Sequence, residues 1–363
     1  MSSETLNCKM IGKCGGCPWA DRGFTSQLEE KRTQLRGVFP AAEIIYQPRE
    51  RVRDRADLIW ERTRDGQMQL GLYALGARQV VDLPACPMMS EPLERWFLEF
   101  KKLLPPINKG SVRLRVSPSG ERGVWLDFAN QDVKELFTER EYLQRLSALG
   151  FVEIGQRRKA LIWRDGQPKL ADPVLKPWFE TYDIEFQAIP LYGPVGGFTQ
   201  TGFAANRALI SAVAELVAAS GVRRWLELFC GNGNFSLALA SRGLEVEAVE
   251  LDELALMGLK LSAAEAGLHL NVQRADVYLG RQARPSLSGR GLLVDPPRAG
   301  LRELFSQLEQ GERPQALLYV SCFTEVFLQD LQRLKALGYE LERLVGVDQF
   351  PFSPHCEWIA LFK

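Results

Sequence analysis

Residues 225–235 read WLELFCGNGNF, an apolar run that meets a glycine-rich turn and continues into the apolar stretch FSLALA. A buried strand entering such a turn and then a helix is how an open parallel sheet presents a cofactor, outside the carboxyl ends of its strands. Gly231 and Gly233 allow the backbone to approach an adenosine closely. The turn does not complete G-x-G-x-x-G, because Phe235 and Ser236 follow Gly233 with no third glycine in place; a mononucleoside-type cofactor is expected over a dinucleotide. Glu250 closes the next apolar run, LEVEAVE, at a spacing that reaches a ribose diol, and LLVDPPRAGL at 292–301 follows a third strand.

Working outward, strands are expected near 225, 245, 270, 291 and 315 with helices between them, the alternation of a doubly wound α/β parallel sheet. Past Gly338, YELERLVGVDQF and EWIALFK follow one another without a helix, so the sheet should finish in a hairpin with one antiparallel strand. Upstream, GFTQTGFAANRALISAVAELVAAS places a loop bearing Gln200 before an amphipathic helix that ends at Gly221. Pro190 and the GPVGG stretch at 193–197 mark a boundary. Before it, from about 110 to 190, short alternating runs such as VRLRVSP and KALIWRDG indicate a mostly β module, with one helical stretch near 131–148. A further helix is expected over 20–39, stopped by Pro40.

The chain has 363 residues, enough for two or three domains, and its charged residues cancel to zero. No global field therefore drives it onto nucleic acid, and such binding must use local patches. The leading MSSETLNCKM lacks a signal-peptide core, and no apolar run approaches the roughly 18 residues of a membrane span. A soluble cytoplasmic protein is expected.

In that compartment, seven cysteines are better read as ligands or catalysts than as disulfides. Cys8, Cys14 and Cys17 form C-x5-C-x2-C around Gly15-Gly16, and Cys86 stands alone in DLPACPMM. Three clustered thiols and a distant fourth suit a four-thiolate cluster or a zinc site. Arg49, Arg51, Arg53, Arg55, Arg62 and Arg64 alternate with acids between 49 and 65. On a strand, Arg51, Arg53 and Arg55 would share a face able to grip successive phosphates, although a solvated face laced with salt bridges is the plainer reading. Arg157, Arg158 and Lys159 carry the same ambiguity.

Two further segments bear chemistry. YVSCFTEVFLQDL puts Cys322 at the carboxyl end of a strand, just ahead of a helix whose N-terminus would favour a thiolate nucleophile. SPHCEWIALF puts Glu357 where a loop enters the last strand, with His355 two residues before it.

Taken together, CKMIGKCGGC, the lone Cys86 after VVDLPAC, FCGNGNF, DPPRAGL, YVSC and H-C-E resemble the S-adenosylmethionine-dependent RNA uracil-5-methyltransferases. More closely, they look like the bacterial 23S rRNA branch that carries a [4Fe-4S] cluster, in a shorter form without an N-terminal β-barrel, since the cysteine motif begins at residue 8. The resemblance implies Cys8, Cys14, Cys17 and Cys86 as cluster ligands. It also implies a cofactor pocket for S-adenosyl-L-methionine lined by Gln200, Phe229, Asn234, Glu250 and Asp276 beside Gly231, Gly233 and Asp295. By the same likeness Cys322 adds to the 6-carbon of uracil, Glu357 removes the proton left on the 5-carbon, and Asp295, ionised, accepts from uracil N3–H. A flipped or single-stranded uridine follows, with 23S rRNA as the expected partner and a monomer as the default state.

The implied layout is an N-terminal iron-sulfur and RNA-contacting region over 1–100, a central mostly β module over 101–192, and a methyltransferase domain over 193–363. This chain departs from the family pattern at Phe323, where asparagine usually follows the nucleophile, and at Gly202, where asparagine is also usual. An RNA-binding relative with altered catalysis and the same chemistry on tRNA are the alternatives. An adenine amino-methyltransferase would use N-P-P-aromatic where this chain has DPPR.

Overall fold

A computed structural model of the chain describes residues 5–36, 38–128, 130–279, 285–310 and 312–363, with only the backbone described at 130–132. Residues 1–4 of the leading stretch and residue 37 of the expected 20–39 helix lie outside them. The first half of the chain contributes α1 (Phe24–Arg36), β1 (Glu43–Tyr46), β2 (Arg55–Arg62), β3 (Met68–Tyr73), β4 (Val80–Asp82), α2 (Glu91–Lys101), β5 (Lys109–Val116) and β6 (Arg122–Asp127). There follow α3 (Asn130–Leu136), α4 (Arg140–Leu149), β7 (Phe151–Ile154), β8 (Lys159–Arg164), β9 (Gln167–Ala171), β10 (Lys176–Tyr182) and β11 (Ala188–Gly193). The remainder is α5 (Phe203–Ser220), β12 (Arg224–Leu228), α6 (Asn234–Ala240), β13 (Glu245–Glu250), α7 (Glu253–Glu265), β14 (Asn271–Arg274), β15 (Gly291–Val294), α8 (Leu304–Glu309), β16 (Ala316–Ser321), α9 (Thr324–Ala336), β17 (Leu341–Val347) and β18 (Glu357–Phe362).

The strands form two large sheets and a hairpin. The C-terminal sheet has the order β1-β17-β18-β16-β15-β12-β13-β14. Strands β12 to β16 run parallel, while β18 is antiparallel to both neighbours, as expected of a terminal hairpin. Helices cover both faces, so the central strands GLLV, ALLYVS and EWIALF are buried at every position and read as continuous apolar runs. The outermost strand, β1, comes from the N-terminal region and lies parallel to β17, pairing Glu43 with Val345 and Ile44 with Gly346.

The second sheet, β4-β3-β2-β5-β6-β7-β8-β9, is antiparallel except at β6–β7. It crosses the boundary expected near residue 100, because β2 to β4 share a core with β5 to β8 through Trp60, Leu70, Leu114, Leu126 and Ile154. The hairpin β10–β11 stands apart and packs on α5, α6 and α7. The helical stretch near 131–148 is two helices, α3 and α4.

Two corrections concern charge and hydropathy. Helix α5 does reach 18 residues with the hydropathy of a membrane span, but Leu209, Ile210, Val213, Leu216 and Val217 are buried in the protein core. The three arginines do not share a strand face. β2 begins only at Arg55; Arg51 has φ 58° and pairs with Glu94 at 2.5 Å, the salt-bridged alternative.

Candidate active site

The carboxyl ends of β12, β13, β15 and β16, roofed by the 193–202 loop and the segment before β18, enclose a cavity of about 640 Å³. That volume suits a nucleoside-sized ligand. Gln200, Phe229, Gly231, Glu250, Asp276, Asp295, Cys322 and Glu357 all line it.

The glycine turn explains part of this. At Gly231 (φ 56°) an added side chain would meet nothing within 4 Å, leaving open space against the cavity, whereas at Gly233 (φ 90°) a Cβ would lie 2.2 Å from Leu259. Gly233 therefore serves close packing of the turn on α7 and is not a wall of the cavity. Asn234 is turned away from the main cavity as well: its amide and that of Asn206 exchange hydrogen bonds of 2.7 and 2.8 Å, and it borders a smaller neighbouring recess. Glu250 accepts from the backbone N–H of Gly231, Leu251 and Asp252, which fixes its carboxylate at the end of β13. The rings of Phe229 (φ 63°) and Tyr278 lie 5.2 Å apart, one aromatic wall built from two strand ends. These features fit the ribose and adenine of a nucleoside cofactor.

The reacting end is buried and acidic. Glu357 is 2% exposed and Cys322 half-buried. Burial, with the Glu357 and Asp295 carboxyls adding and Arg298 opposing, pushes the Cys322 thiol up to about 12. This overturns the expected thiolate-favouring effect of the α9 N-terminus, which is outweighed by desolvation and two nearby acids. Asp295 and Glu357 are themselves raised, both chiefly by burial, and Glu357 further by Asp295. Burial thus works against the ionised Asp295 expected above, a form that a donor on its carboxylate would favour.

Sequence reasoning missed the residues that connect these groups. Gln349 donates to Glu357 Oε2 at 2.5 Å and to Gln200 Oε1 at 3.0 Å, and Gln200 approaches Asp295 at 3.5 Å. It also missed Arg115, which joins Arg55 and Arg158 on the cavity wall. Arg55 Nη1 and Arg115 Nε are buried without a partner, and burial beside Arg113 lowers the Arg55 guanidinium to about 10. The alternating VRLRV pattern is the one signal that could have placed Arg115 beside β2.

Four of the cysteines gather away from this cavity. Cys14 bridges to Ala74, and the backbone N–H groups of Met10 and Gly16 donate to the sulfurs of Cys8 and Cys14 at 3.4 Å. Burial, then the neighbouring Cys86, with Cys14 and Cys8 adding and Arg53 opposing, pushes Cys17 up to about 12. The four thiols thus lie within reach of one another's charge. No three His, Cys, Asp or Glu side chains among the described residues form a group that could hold a single metal ion.

Comparison with known proteins follows the same lines. The family described as tRNA (Uracil-5-)-methyltransferase matches residues 183–363. An uncharacterized RNA methyltransferase of Bdellovibrio bacteriovorus is 34% identical over 99% of this chain and 95% of its own length. The 23S rRNA (uracil(1939)-C(5))-methyltransferase RlmD of Shewanella amazonensis is 31% identical over 99% of this chain and 82% of its own. The crystal structure of Pyrococcus abyssi tRNA (uracil-54, C5)-methyltransferase with S-adenosyl-L-homocysteine superposes with a TM-score of 0.72, covering 97% of this chain and 85% of that one at 22% identity, and so shares the fold.

Fold and site together define an S-adenosylmethionine-dependent methyltransferase. More narrowly, the chain belongs to the RNA uracil-5-methyltransferase family, whose reaction places a methyl group on the 5-carbon of a uridine in RNA.

Proposed function

We propose that this protein methylates the 5-carbon of a uridine in 23S rRNA through a covalent adduct on Cys322. The observation that carries the reading is the meeting of Cys322, Glu357 and Asp295 in one cavity with Glu250 and the glycine turn. S-adenosylmethionine, held by Glu250, Asp276, Phe229 and Gly231, supplies an electrophilic methyl group. The 5-carbon of uracil is a weak nucleophile. Cys322 overcomes this by adding to the 6-carbon, which moves electron density to the 5-carbon. The raised thiol gives its proton to solvent before the uridine closes the site, which leaves the Glu357 carboxylate free to act as base. Asp295 accepts from N3–H, a donor that favours its ionised form, and would repel the lone pair that cytosine presents there. Glu357 then removes the proton from the 5-carbon.

RNA is the partner that the unsatisfied arginines Arg55 and Arg115 accept, since backbone phosphates supply what their buried N–H groups lack. The uridine enters flipped or from a single-stranded loop, because a stacked base cannot reach a half-buried thiol. The 1939-type position is favoured by the likeness to the Shewanella enzyme. The N–H donors aimed at Cys8 and Cys14 suit thiolates of an iron-sulfur centre, so Cys8, Cys14, Cys17 and Cys86 would hold a [4Fe-4S] cluster whose role is to fix the N-terminal region. We assign a cytoplasmic monomer on the same reading.

The test is incubation of anaerobically purified protein with methyl-labelled S-adenosylmethionine and unmodified 23S rRNA, with nucleoside mass spectrometry as readout. Label in 5-methyluridine that disappears in Cys322→Ala supports the assignment. No label with rRNA but label with tRNA transfers the chemistry to the other substrate.

A further inference from the structure

Gln349 lies one residue after Asp348 and 1% exposed, on the cavity wall. Its amide is fully engaged: Oε1 accepts from Thr201 Oγ1 at 3.0 Å, while Nε2 donates to Gln200 Oε1 at 3.0 Å and to Glu357 Oε2 at 2.5 Å. This arrangement admits one orientation. Reversing the amide would set its oxygen against the Gln200 carbonyl and the Glu357 carboxyl, two acceptors in a buried site. A core-filling role would need no donor, and an apolar residue of the same length would serve it.

We propose that Gln349 is a positioning residue for the proton-removal step, holding the Glu357 carboxylate by one oxygen and tying it through Gln200 to the cofactor-side loop. The inference rests on Glu357 as the base. At that step the 5-carbon carries both the new methyl group and a hydrogen, and the 6-carbon carries the Cys322 sulfur. Glu357 takes the hydrogen as a proton. The C5–H electron pair becomes the C5–C6 double bond, and the C6–S pair leaves on the Cys322 sulfur. A donor on the carboxylate favours its ionised form against burial and Asp295, which favour the protonated form. Without Gln349, Glu357 would ionise at higher pH and swing from its register, so elimination slows while adduct formation continues.

The experiment compares wild type with Gln349→Met, Gln349→Asn, Thr201→Val and Glu357→Gln, using rRNA and methyl-labelled S-adenosylmethionine. It reads labelled protein–RNA adduct on denaturing gels, free 5-methyluridine, the pH dependence of its release, cofactor affinity and melting temperature. Gln349→Met should accumulate about tenfold more labelled adduct than wild type, with the rising limb of the release profile shifted to higher pH. Gln349→Asn should recover part of the release rate, and Thr201→Val should move in the same direction as Gln349→Met by less. Wild-type adduct levels and an unmoved pH limb in a folded Gln349→Met would overturn the proposal, as would loss of cofactor affinity with no change in adduct. Should Gln349→Met fail to fold, Thr201→Val decides by the same criteria. Glu357→Gln is the separate control: if it traps no labelled adduct while Cys322→Ala abolishes the product, the base assignment itself fails.

Discussion

Lys31 Nζ meets Asp348 Oδ1 at 2.8 Å, across 317 residues of chain, with the two side chains 0% and 1% exposed. The ammonium also donates to the Phe350 carbonyl, so a residue of α1 holds the segment that carries Gln349. Burial raises the Asp348 carboxyl, and Lys31 opposes the shift. Removing one partner leaves an uncompensated buried charge. Lys31→Met is expected to destabilise the fold by about 3–5 kcal/mol, measured by urea denaturation, whereas the joint Lys31→Met, Asp348→Leu variant should recover much of that loss.

Glu227 sits 1% exposed in β12, with Ser236 donating to one oxygen and no partner for the other. Burial pushes its carboxyl up to about 8 from an ordinary 4.5. A carboxyl raised on folding stabilises the native state fully below its unfolded value and loses that contribution as pH climbs through the folded value. Glu227→Gln should therefore be more stable than wild type at pH 8 and lose that advantage near pH 5. Denaturant midpoints at three pH values check this; an advantage that grows toward acid would contradict it.

Gly202 is packed against the N-terminal segment at Val52. A Cβ there would lie 2.0 Å from the Val52 carbonyl oxygen, and Asp54 receives the Phe203 N–H at 2.9 Å while donating its own to Thr201. The asparagine expected there from the resemblance cannot enter without moving backbone. Gly202→Asn should cost about 3 kcal/mol or more, read as a fall in melting temperature. By contrast Phe323, half-buried beside His355 and Arg298, has room to change, and Phe323→Asn should fold with its melting temperature within a few degrees of wild type.

Cys17 is the thiol that responds to all three of the other cysteines of its group. If they share a cluster, Cys17→Ser should lower bound iron and sulfide in anaerobically purified protein and reduce its melting temperature. Retention of full iron content would remove Cys17 from the ligand set.

What the sequence made legible follows from periodicity. The apolar strands of residues 224–321 are buried on both faces, so WLELF, GLLV and ALLYV could be read as parallel strands without knowing their neighbours. Residues fixed to strand ends, such as Glu250, Asp295 and Cys322, were legible for the same reason. Asn234 was not, because its partner Asn206 comes from a helix 28 residues earlier and the pairing leaves no local trace. Gln349 was hidden likewise, its partners being a loop residue 149 positions away and the first residue of β18. The thiol of Cys322 was misjudged because the helix end is local in sequence, while the acids that oppose it arrive from other strands.

The edge strand β1 has a temporal consequence. Its partner β17 is made roughly 300 residues later, so at about 5–20 residues per second the strand waits about 15–60 s for its ladder. During translation Ile44 and its neighbours remain without their ladder partner until β17 has been made. Helix α1 and strand β1 thus join late, once the segment carrying β17 and Asp348 has been made, and a chain released before that point would carry an intact glycine turn without the hairpin that completes its sheet.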